Sequence, residues 1–475
     1  MDSLSEFAVL FIIILFFFCP IPSIAKETDL TPLTIFLSND PDALGTGALT
    51  EEDIFHPDPY RPTTMLGQNR RLSLDYHAEN VLHIKEGDQQ ETSITSTSKT
   101  FSALLPLELP IFKKSVVTLS AGNFQFSAND TNHNLFFKSY QGDENKIISF
   151  SSAPFSFIKG GIGWELYTDH SNRFYEAAFT PADGLSINYR VFNREMHIEN
   201  ALSKDNYFAT FLFNPSEDVR ETSINADIPR IFQCRIALEG SRDGNGVFYL
   251  KAFTGPSMTV NYQKQKRAFD FLNEIIINGS ANGHISGSIN SASDAIEVDH
   301  HSSSRRYLLG IKKSTFEMGG AGLVSGGSIL NFWENLLAGE RFFNYNLSMR
   351  NTQYHAGFER RSSESLTFRG GVQYMITKPT GNVDHWTPFP IIKIGRLDEE
   401  MINLEYTKAT LGALNLGLTY RMKKLEVTYG VGQIIPIATE KRGTATADTG
   451  PAGEDDKRKK GSGGTLHSMK ATWHF

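Results

Sequence analysis

Three stretches of the chain hold residue types that could do chemistry. "GGAGLVSGG" (319–327) has the glycine density of a dinucleotide-binding loop. Ser325 stands where the third glycine of that fingerprint belongs, and no helical pattern on a βαβ scale follows. "GLSIN" (184–188) lacks the last glycine of a nucleophile elbow. Asp294, Glu297, Asp299, His300 and His301 are metal-ligating types, but neither helical spacing nor a fixed turn converges them, and a polar loop fits them better. A barrel lipase would need a serine beside a histidine at a lipid boundary, and neither His355 nor His474 has an evident serine partner. The sequence therefore nominates no catalytic residue, no metal site and no cofactor, and the chain is expected not to be an enzyme.

Four charged residues are more informative because of the parity on which they stand. Arg369, Glu405, Glu426 and Lys470 each lie opposite an apolar set in an alternating segment. From Ser365 to Ile376, Leu366, Phe368, Val372, Tyr374 and Ile376 share one face, with Gly370. Ser365, Thr367, Arg369, Gly371, Gln373 and Met375 share the other. Leu414, Leu416, Leu418 and Tyr420 oppose Ala413, Asn415, Gly417 and Thr419. Leu425, Val427, Tyr429 and Val431 oppose Glu426, Thr428, Gly430 and Gly432. A period of two is the mark of β-strand. A sandwich strand alternates too, so alternation alone does not choose between a soluble sheet and a membrane barrel.

Loop lengths bear on that choice. "RSSE" (361–364), "LDEE" (397–400) and "RMKK" (421–424) read as short turns, while "KPTGNVDH" (378–385), "TKAT" (407–410) and 440–464 read as the opposite connections. With the C-terminus inside, the short turns fall inside and the longest connections outside, as in outer-membrane barrels. Earlier strands include "SVVTLSAGNFQFS" (115–127), "GLSINYRVF" (184–192) and "GVFYLKAF" (246–253). "NSASDAIEVDHHSSSRR" (290–306) reads as a separating loop.

Composition excludes several classes. The net charge of −7 gives no footprint for a nucleic-acid partner. Mean hydropathy of −0.28, with no long apolar run after residue 25, excludes a bundle of membrane helices. Residues 1–25, with the apolar run "FAVLFIIILFFFC" and the small residues Ser23 and Ala25, have the layout of a secretory signal peptide, although its start carries Asp2 and Glu6 and no base. Its removal leaves Cys234 as the one cysteine, expected as a buried small apolar residue, and excludes an internal disulfide. Residues 26–68 read as an irregular periplasmic lead-in or partial plug, and 69–475 as the barrel.

The last strand, from Thr465, places Trp473 and Phe475 on the outward parity, at the end where an aromatic belt is expected. This ending resembles the closing strand of bacterial outer-membrane β-barrel proteins, whose final residue is typically Phe with an aromatic two before it. The resemblance implies that Trp473 and Phe475 form an assembly signal read by the barrel-assembly machinery. It also implies the outer membrane of a Gram-negative bacterium, with outer-membrane lipid as surroundings. "YHAGFERR" (354–361) to "LNLGLTYRM" (414–422) is similar to the later strands of fatty-acid-transporter barrels, although the N-terminal hatch of that family is not recognisable.

The expected architecture is an all-β, transmembrane, antiparallel up-and-down barrel with an even number of roughly 16–22 strands. Charges inside imply water or an ion-paired network. The expected function is a passive pore or facilitated-diffusion channel for small polar or amphipathic solutes. The alternative is a non-transporting surface scaffold or adhesin presenting loops such as 440–464.

Overall fold

In a computed structural model the chain forms one closed, all-β wall of 18 antiparallel strands. The structure describes residues 40–50, 60–84, 91–107, 114–130, 135–141, 145–167, 170–195, 198–204, 207–239, 245–277, 280–325, 340–386, 400–441 and 463–475. Residues 1–25, read from the sequence as a signal peptide, and most of the 440–464 connection lie outside these residues.

The early strands are β1 (Arg71–Ile84), β2 (Glu91–Leu107), β3 (Lys114–Asp130), β4 (Leu135–Gln141), β5 (Asn145–Phe155), β6 (Ile158–Leu166) and β7 (Ser171–Ala182). Next come β8 (Leu185–Glu195), β9 (Ile198–Lys204), β10 (Tyr207–Ile228), β11 (Phe232–Glu239), β12 (Gly246–Gly255) and β13 (Met258–Ile277). The late strands are β14 (Ser280–His301), β15 (Arg305–Ser325), β16 (Glu340–Arg361), β17 (Leu366–Trp386), β18 (Glu400–Arg421), β19 (Leu425–Lys441) and β20 (Gly463–His474). Antiparallel pairing of β20 with β1, from Arg71 opposite His474 onward, closes the ring. Closure leaves no edge strand among the described residues.

The wall is not the same all the way up. β4 and β5 both pair with β3, and β9 and β8 both pair with β10, so each couple serves as one wall strand. In the half near the termini, the hairpins β6–β7 and β11–β12 fill the wall between β5 and β8 and between β10 and β13. Neither hairpin reaches the other half, where β4 pairs directly with β9 and β10 with β13. The far half of the ring therefore has four strands fewer, and the barrel tapers away from its termini.

The two faces are inverted relative to a soluble protein. Outward positions include Leu74, Phe101, Ile187, Leu309, Val372, Leu414, Leu416 and Ile437, all exposed. Inward positions include Ser149, Glu165, Glu221, Glu297, Gln353, Asn415, Thr419 and Ser468, all buried. Water would not tolerate that outer face, whereas hydrocarbon requires it. On β17 the apolar face runs from Leu366 to Ile376. At about 3.3 Å per residue and a tilt of about 40° it covers about 25 Å of membrane normal, the height of an outer-membrane apolar band. Exposed Phe155, Phe157, Phe179, Tyr307, Phe358, Phe368, Tyr420, Trp473 and Phe475 mark the edge of that band nearest the termini.

Several sequence expectations need correction. "TKAT" is no connection: β18 runs through it, with register shifts at Tyr406/Lys408 and Thr410/Leu411. Glu400, the last residue of "LDEE", therefore begins β18 at the rim far from the termini, while "RSSE" and "RMKK" do turn at the near rim. "KPTGNVDH" lies within β17, and residues 290–301 belong to β14, leaving only 302–304 as the turn. At Lys378 and Thr380 on β17 and at Asn290 and Asp294 on β14 the outward face turns polar above the apolar band, so the alternation fades although the strand continues. Cys234 is half-buried rather than buried, on the outward face between Ala226 and Leu250.

Candidate functional site

The lumen near the termini is occupied by the chain's own N-terminal segment. Residues 40–50 and 60–70 lie inside the ring, packed on β16–β20 and on β3 and β5–β7 respectively. The stretch "NDPDALGTG" encodes its own short helix. α1 (Pro41–Thr46) begins with Asp40, whose carboxylate accepts from the Asp42 and Ala43 amides at 3.0 and 3.2 Å. Pro41 sits at the first helical position and Gly47 ends the helix with φ of 72°. A Pro62–Met65 turn of 3₁₀ helix follows further on.

The wall is shaped for this helix. Inward Gly357, Gly371, Gly417 and Gly430 stand where α1 docks. A Cβ at Gly371 would strike the Thr46 carbonyl, and one at Gly45 would lie 2.8 Å from the Gly417 Cα. Leu44 packs with Met375, Ala413, Ile434 and Leu466. At the second contact, Pro62 sits over Gly161, and Tyr60 packs with Ile147, Phe174, Phe192 and Val219.

Polar anchors complete the docking. Arg369 donates Nη2 to Asp42 Oδ1 at 2.7 Å, Nε to Glu359 at 2.7 Å and Nη1 to Thr419 at 2.5 Å. Gln373 donates to the Gly47 carbonyl at 2.8 Å. Glu297 accepts from the Leu49 amide and the Thr50 hydroxyl, both at 2.9 Å, with His355 Nδ1 at 3.3 Å. Tyr60 donates its hydroxyl to Glu165 at 2.5 Å, and the Thr63 amide donates to Glu176 at 2.8 Å. Arg61 forks onto Glu221 with two bonds of 2.9 Å, and Glu221 also accepts from Arg190 at 3.0 Å and Arg235 at 3.3 Å. Burial pushes the Asp42 carboxyl above its ordinary range, and the Arg369 charge opposes that push.

The sequence candidates fall in different places. Arg369 is buried inside the ring and committed to the plug contact. Glu426 pairs with Arg421 at 2.7 Å near the rim. Lys470 is half-buried on β20, opposite Thr428 and Asp75. The Glu405 side chain lies outside the described residues. Trp473 and Phe475 are exposed on the outside, ring centroids 6.3 Å apart. The metal candidates are split by strand parity, with Glu297 and Asp299 buried inward and Asp294 and His300 exposed outward. Among the described residues no group of three or more His, Cys, Asp or Glu is placed to hold a metal ion. Sequence reasoning missed Glu165, Glu176 and Glu221, and weighed Glu297 only as a metal ligand, whereas all four grip the plug. It also missed Asp40, although an Asp-Pro start and a Gly stop were legible capping signals.

Beyond the plug the inward face changes character. Phe271, Ile289, Phe316, Met318 and Leu347, contributed by β13–β16, are all buried. Polar anchors and the Leu44 and Tyr60 clusters thus hold the plug, and a separate apolar patch lies farther along the same wall.

No protein-family model matches the chain, and no curated protein matches it. Solved structures do. A structure titled "CymD monoaromatic hydrocarbon channel" is 11% identical over 92% of this chain and 97% of that one, with a TM-score of 0.37. A FadL homologue of Pseudomonas aeruginosa is 11% identical over 91% and 96%, with a TM-score of 0.35. OccAB3 of Acinetobacter baumannii is 9% identical over 86% and 99%, with a TM-score of 0.36. At these identities and scores the likeness carries nothing about solute or partner. The chain's own geometry is that of a transmembrane β-barrel with an N-terminal segment lodged in its lumen.

Proposed function

We propose that the chain is an outer-membrane channel of a Gram-negative bacterium that passes small amphipathic solutes by diffusion, with residues 40–50 and 60–70 as its internal stopper. The observation that carries this reading is the docking of that segment. It is held in the lumen by separate hydrogen bonds and ion pairs to β6, β7, β10, β14 and β17, and no described disulfide fixes it. Contacts of that kind can be exchanged for water, so the stopper can leave its seat without unfolding the wall. The apolar inward patch of Phe271, Ile289, Met318 and Leu347 favours a solute with an apolar part over a purely polar one. Trp473 and Phe475 would serve assembly of the barrel and its seating at the near interface.

Planar-bilayer recording tests the reading. The full chain should show rare, small conductance steps, and a chain lacking residues 40–66 should show frequent, larger ones. Equal conductance from both chains would remove the stopper, and no conductance from either, with the deleted one still migrating as a closed barrel on a cold gel, would remove the channel.

A further inference from the structure

Above the apolar band, the outward face of β13–β17 carries an arrangement that neither the lumen nor the wall requires. Arg350 and Lys378 stand directly opposite each other on β16 and β17, both exposed. Like charges in directly opposed cross-strand positions destabilise a sheet. Lys313 on β15 lies opposite Thr352, hence diagonal to Arg350 and on the same face. Among the described residues none of these three cations makes an ion pair. Among the described side chains, the carboxylates beside them in the ladder are Asp294, opposite Lys313, and Glu317, diagonal to Arg350. Asp294 is engaged by the Tyr262 hydroxyl at 3.2 Å.

What lies on either side of the three cations differs. Toward the termini, Ile311, Tyr354, Tyr374 and Ile376 form part of the apolar band, with the two tyrosine rings 6.4 Å apart. Away from the termini, the same outer face has a polar groove of about 740 Å³, lined by Asp270, Ser288, Asn290, Glu317, Asn344 and Asn346. Side-chain amides, hydroxyls and carboxylates in one concavity are the groups that pair with sugar hydroxyls.

Apolar surface, then three cations, then a sugar-like hydrogen-bonding groove is the order of chemistry along an anionic glycolipid. We propose that this face seats a phosphorylated glycolipid of the leaflet far from the termini. Its acyl chains lie on Ile311, Tyr354, Tyr374 and Ile376, a phosphate sits among Lys313, Arg350 and Lys378, and the sugar occupies the groove. The bound phosphate offsets the Arg350–Lys378 repulsion. This inference rests on the membrane placement of the barrel and is independent of whether the lumen conducts.

Native mass spectrometry of the detergent-purified full chain tests it, after the same sample has been shown to insert into phosphatidylcholine vesicles. The probes are a doubly phosphorylated, acylated glucosamine disaccharide, its phosphate-free form, and phosphatidylglycerol. The phosphorylated glycolipid should be retained best. The triple variant K313Q/R350Q/K378Q should lose it by about 100-fold, at about fivefold per surface cation. The N344A/N346A variant should weaken the glycolipid and leave phosphatidylglycerol unchanged. Retention of phosphatidylglycerol as tight as that of the glycolipid, or a triple variant that binds like the parent, would overturn the site alone. Failure of the parent chain to insert would overturn the membrane placement with it.

Discussion

Removing Arg61 should loosen the stopper while leaving the barrel intact. Its guanidinium makes two bonds of 2.9 Å to Glu221 in a setting where both side chains are less than a tenth exposed. Breaking a buried pair ordinarily costs about 3–5 kcal/mol, because one charge is left stranded. Here Glu221 keeps Arg190 and Arg235, so Arg61→Ala leaves no lone carboxylate. What is lost is one forked, charge-assisted contact, about 2 kcal/mol. Glu221→Ala is different, since it takes from Arg61, Arg190 and Arg235 the one buried carboxylate they share, and should reach about 3–5 kcal/mol. Amide hydrogen exchange at residues 61–66 reads the undocking equilibrium directly. Arg61→Ala should speed it by about 30-fold, and Glu221→Ala by more. The reasoning fails if Arg61→Ala leaves those rates unchanged, or if Glu221→Ala proves the milder of the two while both variants still form closed barrels.

Three further outcomes follow from the same geometry. Gly371→Val places side-chain atoms against the Thr46 carbonyl. It should expel α1, seen as loss of exchange protection at Leu44 and Gly47, without lowering barrel yield. Asp40→Ala removes the helix cap at a cost of about 1 kcal/mol, so exchange across α1 should rise about fivefold while residues 61–66 stay as they were. Leu416→Lys puts a charge on the lipid face and should destabilise the folded barrel by about 2–4 kcal/mol in denaturant titration, whereas Leu416→Ile should be nearly neutral.

How far the sequence was legible followed the hydrocarbon. Leu366–Ile376, Leu414–Tyr420 and Leu425–Val431 alternate cleanly because lipid demands apolar groups outside while the lumen accepts Thr, Gln, Asn and Gly. Above the band that demand ends. Lys378 and Thr380 on β17, and Asn290 and Asp294 on β14, face outward as polar residues, so strands there read as loops. The unequal halves of the ring were not legible, because no local pattern tells where β6–β7 and β11–β12 stop short. The stopper was hidden for another reason. A helix of six residues is too short for periodicity, and its docking is written in wall residues far away in the chain. Gly371, Gly417 and Gly430 were visible as small residues of the lumen face, but nothing local says what they make room for. Arg369 was found by its parity, and its partner Asp42 was not.

The most direct test scans single spin labels along Ala413–Tyr420 in protein reconstituted into phosphatidylcholine vesicles. Labels at 414, 416, 418 and 420 should collide with oxygen and not with an aqueous nickel chelate, and labels at 413, 415, 417 and 419 should be shielded from oxygen. Chelate access at position 416, or collision rates with no two-residue period, would contradict a wall bathed in hydrocarbon.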